Sequence, residues 1–324
     1  MGIDTALALA IGLAAGAVTR WRSALRPGAA LAARVALRTG IALLGARLTL
    51  GQVIETGGSS VLAVVVIVSV ALALGLTLGP RTGVGTPLAW LVTVGMAICG
   101  NSAILALSPI VRAPHRDTAY AVSTITLFGL LGVLVLPAVG RTLGLSDPML
   151  GTWAGLSVND TAQVVATGYA FSAPAGDVAT IVKLTRNLAI LPVLIGAAWL
   201  VARQDRATAA ADGEAAAARP SRIHALRWAS RAVPWFVLGF VALAALRSLG
   251  WLDLPIGPTT LADLLSTAAG ILILIALAGV GLGTDLGAMA GVGSRPLLFG
   301  VALWVVVLVL GLALAAALAG DGLG

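Results

Sequence analysis

The chain has 324 residues, 59% of them hydrophobic and only 10% charged, with a formal net charge of +7. A soluble domain carries roughly 25% charged residues, so this composition excludes a soluble globular protein and identifies a polytopic membrane protein with its arginines in loops. One cysteine excludes an intrachain disulfide, and two histidines leave no metal-ligand cluster.

A bilayer span needs roughly 20 apolar residues. That rule places ten helical spans, at 4–19, 28–50, 58–79, 87–111, 118–139, 149–172, 178–202, 232–249, 262–283 and 296–319. Such continuously apolar runs do not fit the alternation of a β-barrel, so the expected fold is all-α. The first run lacks the basic start of a signal peptide and reads as a span. Arg20, Arg22 and Arg26 follow span one; Arg81, Arg141 and Arg295 follow spans three, five and nine; Arg203, Arg206, Arg219, Arg222 and Arg227 follow span seven. Arg112, Arg116 and Arg247 fall on the other side. This bias predicts both termini outside and residues 203–229 in the cytoplasm. The Ala-rich 203–229 segment reads as a linker between a seven-span portion, 1–202, and a three-span portion, 230–324, of one integral membrane domain.

The second span carries Arg34, Arg38 and Arg47, the first two on one i, i+4 face that lines an entry path or snorkels. It contains IALLGARLTLG (41–51), echoed by IALAGVGLGTD (275–285) on the ninth. Spans two and nine cross in opposite directions, so the echo predicts an inverted repeat, a common transporter architecture.

The fourth span starts with Thr86-Pro87, proline at the first helical position. Cys99-Gly100-Asn101-Ser102 follows about 18 Å along the helix, near the midplane. Glycine weakens a helix and Asn or Ser caps a new one. A break is therefore expected here, with restart at Ala103 and a positive dipole end that binds anions at Gly100, Asn101 and Ser102. The alternative is an unbroken helix whose small residues permit close packing.

The sixth span repeats the device. Asp160-Thr-Ala-Gln163 has capping-box spacing, after Gly155, Ser157 and Asn159. Asp160, Gln163 and Thr167 share a face. Asp160 reads as a functional carboxylate, because a neutral Asn or Ser would cap at lower desolvation cost.

In the seventh span Asp177 is expected to cap the helix start, and Lys183 and Arg186 follow at i and i+3 with Asn187 one turn from Lys183. Charges at this depth cost a few kcal/mol and are functional candidates by default. Lys183 is the single lysine of the chain. Two cations against one acid favour an anionic ligand, with the arginine fork suited to an oxyanion. The expected substrate-binding set is Gly100, Asn101, Ser102, Asn159, Asp160, Gln163, Lys183, Arg186 and Asn187, with no catalytic, cofactor or metal-binding residues. Cys99 reads as a packing residue, since no histidine in its segment would activate it. His115 and His224 fall in loops.

Four stretches together carry a family resemblance: LRTGIALLGARLTLGQV (37–53), GMAICGNSAILALSPIV (95–111), NDTAQVVATG (159–168) with VKLTRN (182–187), and GLGTDLGAMAGVGSRPLLFG (281–300). On these the chain resembles the YeiH-type family of bacterial inner-membrane proteins, named as sulfate exporters. The sequence departs from that family's commoner His-Glu pair, carrying Asn159-Asp160 instead, which puts a histidine role in proton coupling in doubt. The family looks like a relative of the bile-acid-symporter and cation/proton-antiporter superfamily. The resemblance implies inverted repeats and two crossing broken helices, although breaks on spans four and six would run the same way rather than antiparallel.

The expectation is an all-α secondary transporter of the inner membrane that moves a small anion, such as sulfate or an organic sulfonate, by alternating access. The first rival is a cation/proton antiporter using Asp160. The second is a non-transport intramembrane enzyme or subunit, against which stands the lack of a nucleotide motif or Ser/His/Asp set. The partners implied are the substrate and the lipid bilayer, with no nucleic acid and no cofactor; a homo-oligomer and the coupling ion, H+ or Na+, stay open.

Overall fold

The computed structural model describes residues 35–211, 235–283 and 294–320. The predicted first span with Arg20, Arg22, Arg26 and Arg34, the linker beyond Ala211 and the end of the 275–285 echo lie outside the described residues.

Helix α1 (35–44) closes in a 3-10 turn, Gly45–Arg47. Then come α2 (Leu50–Arg81), α3 (Thr86–Ala97), α4 (Asn101–Leu107), α5 (His115–Thr142), α6 (Asp147–Ser157), α7 (Thr161–Phe171), α8 (Ala173–Asn187) and α9 (Ile190–Ala211). After α10 (Trp235–Ser248), two short antiparallel strands, β1 (Pro255–Ile256) and β2 (Thr259–Thr260), precede α11 (Leu261–Gly283) and α12 (Ser294–Gly320). Among the described residues, four stretches are long and apolar enough to cross a bilayer: Leu50–Arg81, His115–Thr142, Ala173–Arg206 and Ser294–Ala319. Local chemistry fixes the starts. Thr49 and Gln52 form a reciprocal capping box on α2, and Ser172 caps α8 through the Ala175 N–H at 3.1 Å.

Two apolar stretches do not cross. Gly95 and Ile104 would be about 13.5 Å apart in a continuous helix, yet a Cβ on Gly95 would lie 2.8 Å from the Ile104 side chain. The chain therefore reverses at 98–100, and α3 and α4 form a helical hairpin. Helix α4 then runs antiparallel to α5, with Asn101 bonded to Thr126 at 3.2 Å and Ser108 to Thr118 at 2.7 Å.

The second reversal is at 158–160. Helix α8 runs parallel to α6, with Gly151 against Val178 and Gly155 against Val182. It runs antiparallel to α7, with Gly168 against Gly176 and Asn187 beside Thr161. So α6 and α7 oppose each other, and their outer ends meet where the Ser172 hydroxyl donates to the Asp147 carboxylate at 2.6 Å. Helix α5 links the two hairpins by crossing the bundle. The first hairpin thus enters from one end, here called upper, and the second from the lower end.

Helix α12 runs parallel to α5. It starts with Arg295 beside Gly83 at the upper end, stacks Trp304 on Phe128 at 5.3 Å between centroids, and accepts the Trp153 indole N–H at Leu308 O, 2.9 Å away. Helices α1, α10 and α11 pack on α5, α7 and α8 through an apolar cluster that includes Ile41, Phe240, Ile273, Val165 and Ile181.

These observations correct several expectations. The stretches 87–111 and 149–172 meet the length rule for a span, but two half-length helices joined by a tight tip satisfy the same rule. In place of crossing broken helices, two hairpins meet tip to tip. Arg112 and Arg116 consequently lie at the upper end, with Arg112 paired to Asp205 at 2.8 Å, and Arg141 lies at the lower end. The helix α9 continues to Ala211, through the start of the expected 203–229 linker. Within the membrane domain, α10 and α11 pack on the 3-10 turn that closes α1, while α12 packs on α2 and α6. The described part of the echo places α1 and α11 as antiparallel neighbours, with Gly40 against Ile273 and Ala46 clustered with Ala262.

Candidate functional site

Every helix leaves its last carbonyls without intrahelical partners, and here two such ends, those of α3 and α6, are buried where the hairpin tips meet. Unpaired backbone at that depth is tolerated only inside protein with other partners supplied. Part of the reversal is handled locally. Ile98 N–H bonds Val94 O, Gly100 N–H bonds Gly95 O at 3.0 Å, and Val158 N–H bonds Ala154 O. Gly100 sits at φ 62°, ψ −123°, a conformation open essentially to glycine alone.

The remaining carbonyls take side chains from α8. Lys183 Nζ donates to Ile98 O at 2.7 Å, Val158 O at 3.0 Å and Asn159 O at 2.5 Å. Arg186 donates through Nε to Ala97 O at 2.8 Å, through Nη1 to Val158 O at 3.1 Å and Gly155 O at 3.4 Å, and through Nη2 to Met96 O. Both cations are wholly buried. Two positive charges thus face two negative helix ends, the arrangement favoured by the helix dipole. All three ammonium donors of Lys183 are committed, and four of the five guanidinium donors of Arg186. The i, i+3 face expected for this pair is present, and it holds one tip from each hairpin.

The opposite pair of helix ends, the N-termini of α4 and α7, carries the polar side chains. Asp160 caps α7, accepting Ala162 N–H at 2.9 Å. It lies beyond 4.0 Å of Lys183, since the described ion pairs are Arg47–Asp177, Arg112–Asp205 and Arg247–Asp253. Gln163 does not close the capping box; its amide donates to Thr126 O at 3.0 Å. Asn187 approaches the Thr161 hydroxyl at 3.5 Å. Helix α4 restarts at Asn101 rather than at Ala103, because Gly100 takes the cap position.

Four carboxamides here hold buried atoms with no hydrogen-bond partner in the protein: both side-chain atoms of Asn159 and the carbonyls of Asn101, Gln163 and Asn187. An orphaned buried polar atom costs about 1–3 kcal/mol, and buried polar groups are otherwise nearly always paired. Such a cluster suits a ligand that itself carries hydrogen-bonding groups. The site therefore gathers Gly100, Asn101, Asn159, Asp160, Gln163, Lys183, Arg186 and Asn187, whereas Ser102 is exposed on α4. Cys99 is buried at the first tip.

Sequence reasoning missed Thr126. Its hydroxyl accepts from Asn101 and its carbonyl from Gln163, so one residue of α5 ties both hairpins. Nothing in the apolar run around it marks that role. Asp177 was expected as a cap, but Ser172 takes that position. Asp177 instead accepts the Tyr169 hydroxyl at 2.5 Å and pairs with Arg47 Nε at 2.9 Å, joining the end of α1 to the second hairpin.

Fold and site together define a polytopic helical membrane protein built around two opposed hairpins whose tips share a buried polar centre. The chain belongs to the family described as conserved hypothetical protein 698, which matches residues 3–300. It is 34% identical over 295 residues to a UPF0324 membrane protein of Clostridium tetani (strain Massachusetts / E88), covering 90% of this chain and 83% of that one. It is 32% identical over 309 residues to the UPF0324 membrane protein GSU2818 of Geobacter sulfurreducens, covering 94% and 88%. To SAG1125 of Streptococcus agalactiae it is 30% identical over 316 residues, covering 96% and 89%. No solved structure matches the chain.

Proposed function

We propose that this protein is a secondary transporter of a small oxyanion, sulfate or an organic sulfonate being the best fit, with its site at the meeting hairpin tips. One observation carries the reading: Asn159 holds an unpartnered amide nitrogen, a hydrogen-bond donor, beside the N-terminal ends of α4 and α7, where helix dipoles favour negative charge. The balance of Lys183 and Arg186 against Asp160 adds a net positive field. In this reading the two cations act on the anion through that field and by holding the tips, while the Asn159 amide nitrogen and N–H groups at the helix starts make direct contact. Likeness to the YeiH-type exporters points the same way.

Transporter folds often pair units of inverted topology around a midplane site. Helix α2 with the first hairpin and α5 with the second have that relation. Among the described helix ends, Arg81, Arg112, Arg116, Arg203, Arg206 and Arg295 lie at the upper end and Arg47, Arg141 and Arg247 at the lower. The positive-inside rule then places the upper end in the cytoplasm and the close of α12 outside.

Calorimetric titration of the purified protein with sulfate and a short alkyl sulfonate tests the reading. Hydrogen bonds to charged groups contribute about 1.5–3 kcal/mol, so Asn159→Ala is expected to weaken binding by about tenfold or more. Asp160→Asn, which keeps a capping oxygen, is expected to retain it. A cation/proton antiporter would show the reverse: no anion heat, and sodium- or pH-dependent stabilisation that Asp160→Asn abolishes.

A further inference from the structure

At the upper end, α2 and α12 part to leave a groove of about 320 Å³ that is lined by Leu74, Leu78, Leu298, Phe299 and Val306 and closes at its mouth on Thr82 and Arg295. The groove follows α12 from Arg295 to Val306, which at 1.5 Å per residue is about 16 Å. Half of a bilayer's hydrocarbon core is about 15 Å. Its depth is therefore that of one leaflet, with an apolar wall throughout and the cation only at head-group level. Arg295 is exposed, its guanidinium beside Gly83, and Arg81, two residues before Gly83 at the end of α2, is exposed as well.

We infer that this groove binds one anionic phospholipid, an acyl chain lying between α2 and α12 and its phosphate on Arg295, with Arg81 contributing at longer range. Charge complementarity selects the occupant: basic pockets between membrane helices recognise anionic head groups, and each arginine near the surface contributes about 1 kcal/mol. A zwitterionic lipid would fill the groove without that selection. The location also gives the lipid a structural effect. Helix α2 packs on α3 of the first hairpin, with Gly75 against Thr93. Helix α12 packs on α6 of the second through Trp153 and Ser157. A bound lipid at this seam ties together the two helices that carry the hairpins. None of this rests on the transport reading, and the test does not measure transport.

The experiment is native mass spectrometry with thermal unfolding of the purified protein after addition of phosphatidylglycerol or phosphatidylcholine in matched micelles. The expected result is one retained phosphatidylglycerol per chain and a higher midpoint than with phosphatidylcholine. Arg295→Gln should weaken phosphatidylglycerol retention about fivefold and leave the phosphatidylcholine baseline unchanged, which also shows that the variant folds. Ala302→Phe, which fills the groove and keeps Arg295, should remove the retained lipid, whereas Arg203→Gln on α9 should have no effect. Equal stabilisation by the two lipids, or full phosphatidylglycerol preference in Arg295→Gln, would overturn the assignment. So would stabilisation by inorganic phosphate equal to that by phosphatidylglycerol.

Discussion

Replacing Lys183 by methionine tests whether the buried cations are a frame or a ligand-binding group. Methionine keeps the unbranched apolar stem and removes the ammonium with its three donors. Val158 O retains Arg186 Nη1, but Ile98 O and Asn159 O lose their side-chain partner. Two orphaned carbonyls cost about 2–6 kcal/mol gross. The ammonium takes its own desolvation cost with it, and that cost is several kcal/mol for a buried ion, so the net loss should fall at the low end, about 2–3 kcal/mol. At about 2 °C per kcal/mol for a chain of this size, the unfolding midpoint in detergent should drop by roughly 4–6 °C. Arg186→Met orphans Met96, Ala97 and Gly155, and should cost more than Lys183→Met. The double variant also frees Val158 O, so its loss should exceed the sum of the singles by about 1–3 kcal/mol, a coupling that a double-mutant cycle reads directly. An unchanged midpoint for Lys183→Met, together with lost anion binding, would refute the frame and make the ammonium a direct ligand.

Gly100→Ala places a Cβ 3.2 Å from Ile125 and 3.3 Å from Asn159 O at a positive φ, and should cost about 1–3 kcal/mol in thermal unfolding; a midpoint equal to wild type would argue against the tip conformation. The hairpins themselves are checked by thiol labelling of single cysteines in a Cys99→Ala background. Arg112→Cys and Arg203→Cys should label from the same side of the membrane and Leu145→Cys from the other. Labelling of positions 112 and 203 from opposite sides would restore a crossing fourth span.

What could be read from the sequence was local. Gly100, Asn101, Asp160 and the Lys183/Arg186 face announced themselves as polar or helix-breaking residues in apolar surroundings, and the structure brings them together. The reversals could not be read. A hairpin of 12 and 7 helical residues around a three-residue tip has the length and hydropathy of one span, and only tertiary contacts such as Gly95 against Ile104 distinguish them. That ambiguity misplaced Arg112, Arg116 and Arg141, whose assignment depended on span parity. The partners of Lys183 were equally invisible, since backbone carbonyls leave no mark in a side-chain pattern. Thr126 and the Arg47–Asp177–Tyr169 cluster link residues far apart in the chain, and neither spacing nor residue type signals them.

The clasp on α8 has a mechanical consequence. Seven hydrogen bonds from two side chains reach both tips, so separating one hairpin from the other means exposing several carbonyls at once in the least polar part of the membrane. Opening the site by swinging a single hairpin is then the costliest available motion. The boundary with α1, α10 and α11 is different: it is an apolar surface, crossed by the ion pair of Arg47 and Asp177. Apolar surfaces can slide with little change in buried area, and one ion pair can re-form elsewhere. In the proposed transport cycle, any large displacement should therefore carry both hairpins and α8 together as a single carriage past a stationary rail.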